Sequence, residues 1–427
     1  MNNLFDNLPF KPADILLPRD CDLSLWSVIA CDQYTSQPEY WQRVEERVGR
    51  APSALRLILP ESCLDGPSVE TDIMETNNTM SRYLREGRFQ VWPEAMIYME
   101  RTLSSGRVRR GLVGMADLAQ YDYEPYSASA IRATEGTVMS RIPPRVAVRK
   151  NAPIELPHAI LLADGMDVIC ALSSRTKEME KLYDFDLMEG GGHLRGWLLT
   201  QTHQEEIARA LQAMKERADQ DRGGFLFAVG DGNHSLAAAK ECYERRKGLT
   251  EPVQWPDLPS RYALCEVVDL HDEALEFEPI HRVVFGVKPE ELLDAMGRYY
   301  PDALRGRQLD QRVRSMAQCI PFVYRDGEGE FALLHSASLT EAGALHDFLD
   351  QYLERNPRAR IDYIHGETEA RTLAEEREDA VAFLLPAMDK RELFPAIISH
   401  GALPRKTFSV GQAQDKRFYL EARKIRK

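Results

Sequence analysis

The chain has 427 residues, of which 44% are hydrophobic and 28% charged, and its formal net charge is −13. This balance excludes a disordered polymer and, at this length, calls for two domains or three. The negative charge disfavours a broad grip on nucleic acid or on an anionic membrane, while leaving room for a local basic pocket.

In chain order, the start MNNLFDNLPFKPADILLP has neither a basic opening nor a long apolar run, so no secretory leader is expected. No window approaches ~20 uninterrupted apolar residues, so no membrane span is expected either. Helical patterns cover Glu39–Val48 and Glu70–Arg85, and a hairpin is expected from Ala95–Thr102 and Arg109–Ala116 around the turn-rich Ser104–Gly106. The stretch Tyr121–Lys150, broken by Pro125, Pro143 and Pro144, is expected to be irregular. Pro153–Ser173 reads as strand-rich, Gly190–His193 as a glycine-dense loop and Glu205–Arg217 as a helix. Then come the apolar strand Phe225–Val229, the polar loop Gly230–Ser235 (GDGNHS) and the helical Leu236–Lys247. Strands follow at Tyr262–Asp269 and Pro279–Phe285.

From about Pro289 the rhythm changes. A helix, a hairpin Pro321–Leu334 turning at Asp326–Gly329, and the helix Glu341–Glu354 lead on to alternating segments Arg360–His365, Glu367–Glu376, Ala380–Leu385 and Lys390–Ser399. This pattern suggests a separate C-terminal α/β domain. The expected division is 1–287 and 288–427, with the last strand candidates, Lys406–Val410 and Phe418–Ala422, able to stay there or return to the first domain. Seven scattered cysteines without a CxxC pair give poor support to disulfides or structural zinc, so a reducing cytoplasm is the expected setting.

The loop Gly230–Ser235 is the strongest candidate for a site. Gly230 and Gly232 permit a sharp exit from the strand, and Asn233 or Ser235 can cap the following helix. The unpaired amides of that helix start favour an anion such as phosphate. Asp231 adds a carboxylate for a metal or a substrate hydroxyl, and His234 a ring that titrates near neutral pH. The same residues equally suit a capped turn that satisfies only its own backbone. A second candidate, Ile131–Lys150, gathers Arg132, Arg141, Arg145, Arg149 and Lys150 around one acid, Glu135, with Thr137 beside it. Guanidinium forks suit phosphate oxygens, although an arginine-rich surface loop explains the composition as well. A third, EPIHRVV, carries His281 and Arg282, and His281 reads equally as a satisfied core histidine. Weaker candidates are GGGHLRGW, with His193 and Arg195, and LPRKTF, with Arg405 and Lys406. Phosphate-loop, nucleophile-elbow, HExxH and kinase signatures are missing from the sequence.

Taken in order, IRATEGT, GGGHLRGW, GDGNHSLAAAK, EPIHRVV and LPRKTF resemble the DUF1015 family over nearly the whole chain. That resemblance implies a distant likeness to the ParB/sulfiredoxin fold and to the archaeal ADP-dependent free serine kinase. The fold class it implies is α+β or mixed α/β, with a ParB/sulfiredoxin-like first domain built on a mixed sheet. By position Asp231, Gly232 and His234 match the family's loop, His281 and Arg282 its His–Arg pair, and Glu135 its site acid. Two positions depart: Asn233 stands for the usual His and Ser235 for the usual Arg. Lys406 is followed directly by Thr407 and Phe408, which departs from the family's PKST-type tail. Phosphate-holding charge would then come from Arg141, Arg145, Arg282 or Arg405.

The implied function is binding of a phosphorylated small molecule, such as ADP or ATP with Mg2+ held at Asp231. If the protein is an enzyme, a small-molecule kinase or nucleotide hydrolase is expected, with Glu135, Asp231 and His234 as the catalytic set. Alternatives are a non-catalytic nucleotide or metabolite sensor and, disfavoured by the charge, a ParB-like DNA-associated protein. The sequence leaves the oligomeric state open.

Overall fold

The computed structural model describes residues 3–426 other than 36, 65 and 339. They form two compact units, Met1–Glu276 with Gly411–Lys427, and Phe277–Val410. The division falls at 276/277 rather than at 287, because Phe277–Phe285 pairs with Arg360–His365, Ala380–Phe383 and Phe408–Val410 in the second unit. The strand Phe418–Tyr419 pairs with Val28–Ile29 in the first unit.

The first unit is built on a mixed sheet. Its order is Glu180–Asp186, His193–Leu198, Ile97–Thr102, Val108–Asp117, Tyr262–Asp269, Ile160–Ala163, Phe227–Asp231, Ile131–Ala133 and Tyr121–Asp122, and Phe10–Lys11 also pairs with Val108–Asp117. Most neighbours are antiparallel. Ile160–Ala163 runs parallel to Glu266–Asp269, and Ile131–Ala133 runs parallel to Phe227–Val229. Both faces are covered. Cys265 packs into one core with Phe10, Leu161, Phe227 and the helix residues Ile207 and Leu211. Its neighbour Leu264 packs into the other with Trp26, Val113 and Tyr419, as period-two alternation along a strand requires.

Three local expectations change. The stretch 121–150 contains the strand Ile131–Ala133 and the helix Ile142–Arg149. Pro143 and Pro144 sit in the first turn of that helix, where an absent N–H costs no intrahelical bond. After the strands Ile154–Glu155 and Ile160–Ala163, the chain turns helical at Val168–Ala171 rather than staying extended. The hairpin of the second unit pairs Tyr324 with Gly327, which puts its turn at Arg325–Asp326.

In the second unit the strand pairings are antiparallel, in the order Leu304–Gly306, Gly327–Leu333, Gln318–Tyr324, Ala380–Phe383, Phe277–Phe285 and Arg360–His365. Leu292, Met296, Phe331, Phe348 and Phe383 share its main core. Among the described residues no helix is long and apolar enough to cross a membrane.

Candidate functional site

The fully buried strand residues Phe227, Ala228 and Val229 deliver the chain to Gly232, which caps the helix Asn233–Lys247 with φ of +80°. A Cβ at Gly232 would stand 2.9 Å from Ala159 Cα and 3.3 Å from His158 Cδ2. Both the left-handed backbone and the close approach therefore require glycine.

The neighbouring parallel strand Ile131–Ala133 leads into the segment that faces this loop. Thr134 Oγ1 donates to the Val229 carbonyl at 2.7 Å, and Asn233 Nδ2 donates to Thr134 Oγ1 at 3.3 Å. The Val138 amide donates to His234 Nε2 at 3.2 Å, so the neutral ring carries its proton on Nδ1. Ile142 and Val146 pack on Ala237 and Ala238, which lays the helix Ile142–Arg149 along Asn233–Lys247. Two of the sequence motifs, IRATEGT and GDGNHS, thus meet at one helix start. Asp231 Oδ2, Asn233 Oδ1 and Thr137 Oγ1 are buried there without a hydrogen-bond partner among the described residues. Glu135 lies half-buried in the same facing segment.

Residues from the two ends of the chain complete the site. Lys416 Nζ lies 3.4 Å from Asp231 Oδ1. Tyr419 Oη is 2.7 Å from His158 Nδ1, and His158 Nε2 is 3.6 Å from Asp32 Oδ2. Burial pushes the Asp32 carboxyl up, but His158, a hydrogen bond from Gln33, and the Lys416 and Arg145 charges outweigh it and hold the group below the usual range. Burial pushes the Cys31 thiol up to about 12 and the Tyr419 hydroxyl well above its ordinary value, so neither supplies an anion. A cavity of about 130 Å³ opens here, lined by Asp32, Arg145, His158, Ser235 and Tyr419 over an apolar floor that includes Leu57, Ile58 and Met80. Arg145 forms an ion pair with Glu61 on its wall. Asp32, His158, Lys416 and Tyr419 carry no motif and are separated in sequence, so only the fold reveals them.

The remaining sequence candidates are placed otherwise. Arg132 donates to the carbonyls of Ser129 at 2.9 Å and Gly223 at 3.0 Å and stacks over Phe225, which makes it a clamp on the chain rather than a free phosphate fork. Arg141 is exposed, and its carbonyl accepts from Arg145. Gly230 packs its backbone against Leu162, where a Cβ would meet Cγ at 2.7 Å. His193 sits between Asp186 at 2.6 Å and Asp184 at 2.7 Å, and Arg195 pairs with Glu100. His281, Arg282, Arg405 and Lys406 belong to the second unit. There His281 Nδ1 accepts from the Leu385 amide at 3.1 Å, and burial lowers its pKa, the behaviour of a core histidine. Arg282 donates to the Lys406 carbonyl at 2.8 Å, so the His–Arg pair and the LPRKTF turn are partners of each other.

Chemically, the helix start and the Lys416 ammonium can hold an anion, and His158 beside the ionised Asp32 can take up a proton. Among the described residues no group of three His, Cys, Asp or Glu side chains is arranged to hold a metal ion, and Asp231 has an ammonium for its neighbour.

No curated protein matches the chain. Among solved structures it is similar to a conserved hypothetical protein from Pyrococcus furiosus, with 10% identity and a TM-score of 0.38 over 72% of this chain and 90% of that one. It is also similar to a free serine kinase variant in complex with AMP, with 10% identity and a TM-score of 0.42 over 73% and 91%. A free serine kinase variant in complex with ADP gives 10% identity and a TM-score of 0.41 over the same shares, 73% and 91%. Residues 9–366 match the family model of DUF1015, a protein of unknown function, and the chain belongs to that family.

Proposed function

We propose that this protein binds a nucleotide or another phosphorylated small molecule at the start of the helix Asn233–Lys247. The observation that carries this reading is the crowding of three buried polar atoms without partners among the described residues, Asp231 Oδ2, Asn233 Oδ1 and Thr137 Oγ1, at the strand–helix junction and the segment facing it. A buried polar atom left unpaired costs about 1–3 kcal/mol, and the acceptors Asp231 Oδ2 and Asn233 Oδ1 suit hydroxyl or amine donors on the non-phosphate part of such a ligand. The anionic part of that ligand is favoured by the helix start and by Lys416, which is nearly buried. A divalent ion would arrive on the ligand's own phosphates, since no three-ligand cluster stands among the described residues. The seven free cysteines suit a cytoplasmic setting.

Thermal-shift measurements with AMP, ADP and ATP, each with and without magnesium, test the reading. A ligand at about 100 times its Kd should stabilise the fold by about 2.7 kcal/mol. A response to an unphosphorylated metabolite and to none of the nucleotides would overturn it.

A second reading, phosphoryl transfer or nucleotide hydrolysis, is favoured by the Asp32–His158 pair on the cavity wall beside Ser235. A carboxylate held below its usual range is a weak base but can orient the His158 imidazole, which is suited to accept the proton of an attacking hydroxyl or water. Asp32→Asn should then keep nucleotide binding and lose turnover. Nucleotide recovered unchanged after long incubation with the wild-type protein would leave the sensor reading standing instead.

A further inference from the structure

We propose that the basic recess at the far end of the helix pair Ile142–Arg149 and Asn233–Lys247 is a second anion site, built for a compact polyanion such as a di- or triphosphate. The recess encloses about 220 Å³ and is lined by Arg149, Lys150, Arg245, Arg246, Arg426 and Ser260, among others. Five cationic side chains from three separate segments meet there in a chain whose net charge is −13.

Two of the five are already balanced. Arg245 pairs with Glu241 at 2.8 Å, and Arg149 with Glu155 at 2.5 Å. Glu155 is shared, because Arg423 also binds it at 2.7 Å. Among the described residues no acidic side chain lies within ion-pairing distance of Lys150, Arg246 or Arg426. The Arg426 guanidinium instead donates to the Lys150 carbonyl and to Asn151 Oδ1, which ties the end of the chain to the rim of the recess.

Helix dipoles account for part of this arrangement. Cations in the last turn of a helix are favoured, which suits Arg149, Lys150, Arg245 and Arg246. Arg426 comes from outside both helices, and its bond to the Lys150 carbonyl at the helix C-cap suits the dipole as well. The dipole does not account for Ser260 Oγ, which is buried at the recess without a hydrogen-bond partner among the described residues. A bound polyanion explains that hydroxyl and the cations left without an acidic partner. Guanidinium groups donate paired hydrogen bonds to phosphate oxygens, and the serine hydroxyl supplies one more donor. Cations on several sides of one small recess match a ligand with more than one phosphate. Arg149 also lines the cavity beside His158, whereas Lys150, Arg245, Arg246, Ser260 and Arg426 line this recess and not that cavity, so the two sites can be tested separately.

The test is isothermal titration calorimetry of the full-length protein with inorganic tripolyphosphate at low salt. The wild type should bind, and added salt should weaken binding by screening. Arg245→Gln/Arg246→Gln, at two exposed positions, should weaken it about tenfold, and Ser260→Ala by a smaller factor. Asn233→Ala, which touches only the site at Asp231, should leave this event in place. A control pair on another helix, Arg209→Gln/Lys215→Gln, removes the same charge and should have little effect. Three results would each overturn the proposal: no binding by the wild type, an equal loss in the control pair, or a loss in Asn233→Ala with none in Arg245→Gln/Arg246→Gln.

Discussion

Lys416 Nζ stands 3.4 Å from Asp231 Oδ1, with their side chains only 7% and 14% exposed. This contact joins the C-terminal segment to the glycine loop, and it makes the segment Gly411–Lys427 part of the site as well as part of the fold. Lys416→Met should strip the loop of this neighbouring ammonium and strand Asp231 in a largely buried position. The expected loss is about 1–3 kcal/mol of stability, the cost of a buried polar group left unsatisfied, together with the nucleotide-induced thermal shift. Denaturant melts of Lys416→Met, Asp231→Asn and the double variant measure it. Additive effects in the double variant would mean that the pair is not coupled.

Gly232→Ala combines a left-handed backbone with a Cβ placed 2.9 Å from Ala159 Cα. Gly190→Ala is the matched control, since its φ is +72° but a Cβ there would meet nothing within 4 Å. Backbone strain alone costs about 1–2 kcal/mol. Gly190→Ala should show that amount and Gly232→Ala clearly more, with loss of ligand response only in the latter. Equal melting temperatures for the two variants would contradict the packing argument.

Glu266 is completely buried between Arg109 at 3.2 Å and Arg417 at 2.7 Å, and Arg417 reaches on to Glu421 at 2.5 Å. Burial raises the Glu266 carboxyl, but the two guanidinium charges outweigh it and hold the pKa below the ordinary value. Glu266→Gln leaves those guanidiniums without their shared anion and should cost about 3–5 kcal/mol. The C-terminal segment should loosen with it, which hydrogen exchange at residues 417–424 would register. A wild-type exchange pattern in a folded Glu266→Gln protein would mean that the ion network does not anchor the segment.

His193 provides a pH dependence with a definite sign. Burial lowers its pKa, but the hydrogen bonds to Asp186 and Asp184 outweigh that and raise it above the usual histidine value. A raised folded-state pKa contributes stability that is fully present below the unfolded value near ~6.5 and is lost as pH rises through the folded one. With about a third of the ring exposed, the contribution is modest. Amide protection factors in the hairpin Glu180–Asp186 with His193–Leu198, corrected for base-catalysed intrinsic exchange, should therefore fall as pH rises above neutrality, and His193→Gln should remove that fall. A slope that survives the substitution would have to arise elsewhere.

Much of the architecture was legible in local pattern. The helices at Pro38–Val48 and Val69–Arg85 and the strand–glycine–helix unit at Phe227–Lys247 follow from apolar spacing and turn residues close to the expected limits. The helix Ile142–Arg149 was hidden because two prolines read as breakers until their place in its first turn is known. The strand Glu180–Asp186 was hidden because an edge strand with a mostly exposed pattern lacks the apolar signal of a core strand.

By itself the sequence determined the order of the motifs, the family they belong to, and the glycine loop at Gly230–Ser235, because these depend on residue type over a few positions. Only the tertiary structure decided which charges serve that loop. Arg132 spends its guanidinium on backbone carbonyls, while Asp32, His158 and Lys416 reach the loop's surroundings from distant segments. The physical reason is that side-chain electrostatics act over a few ångströms in space, and sheet pairing sets those distances among residues far apart along the chain.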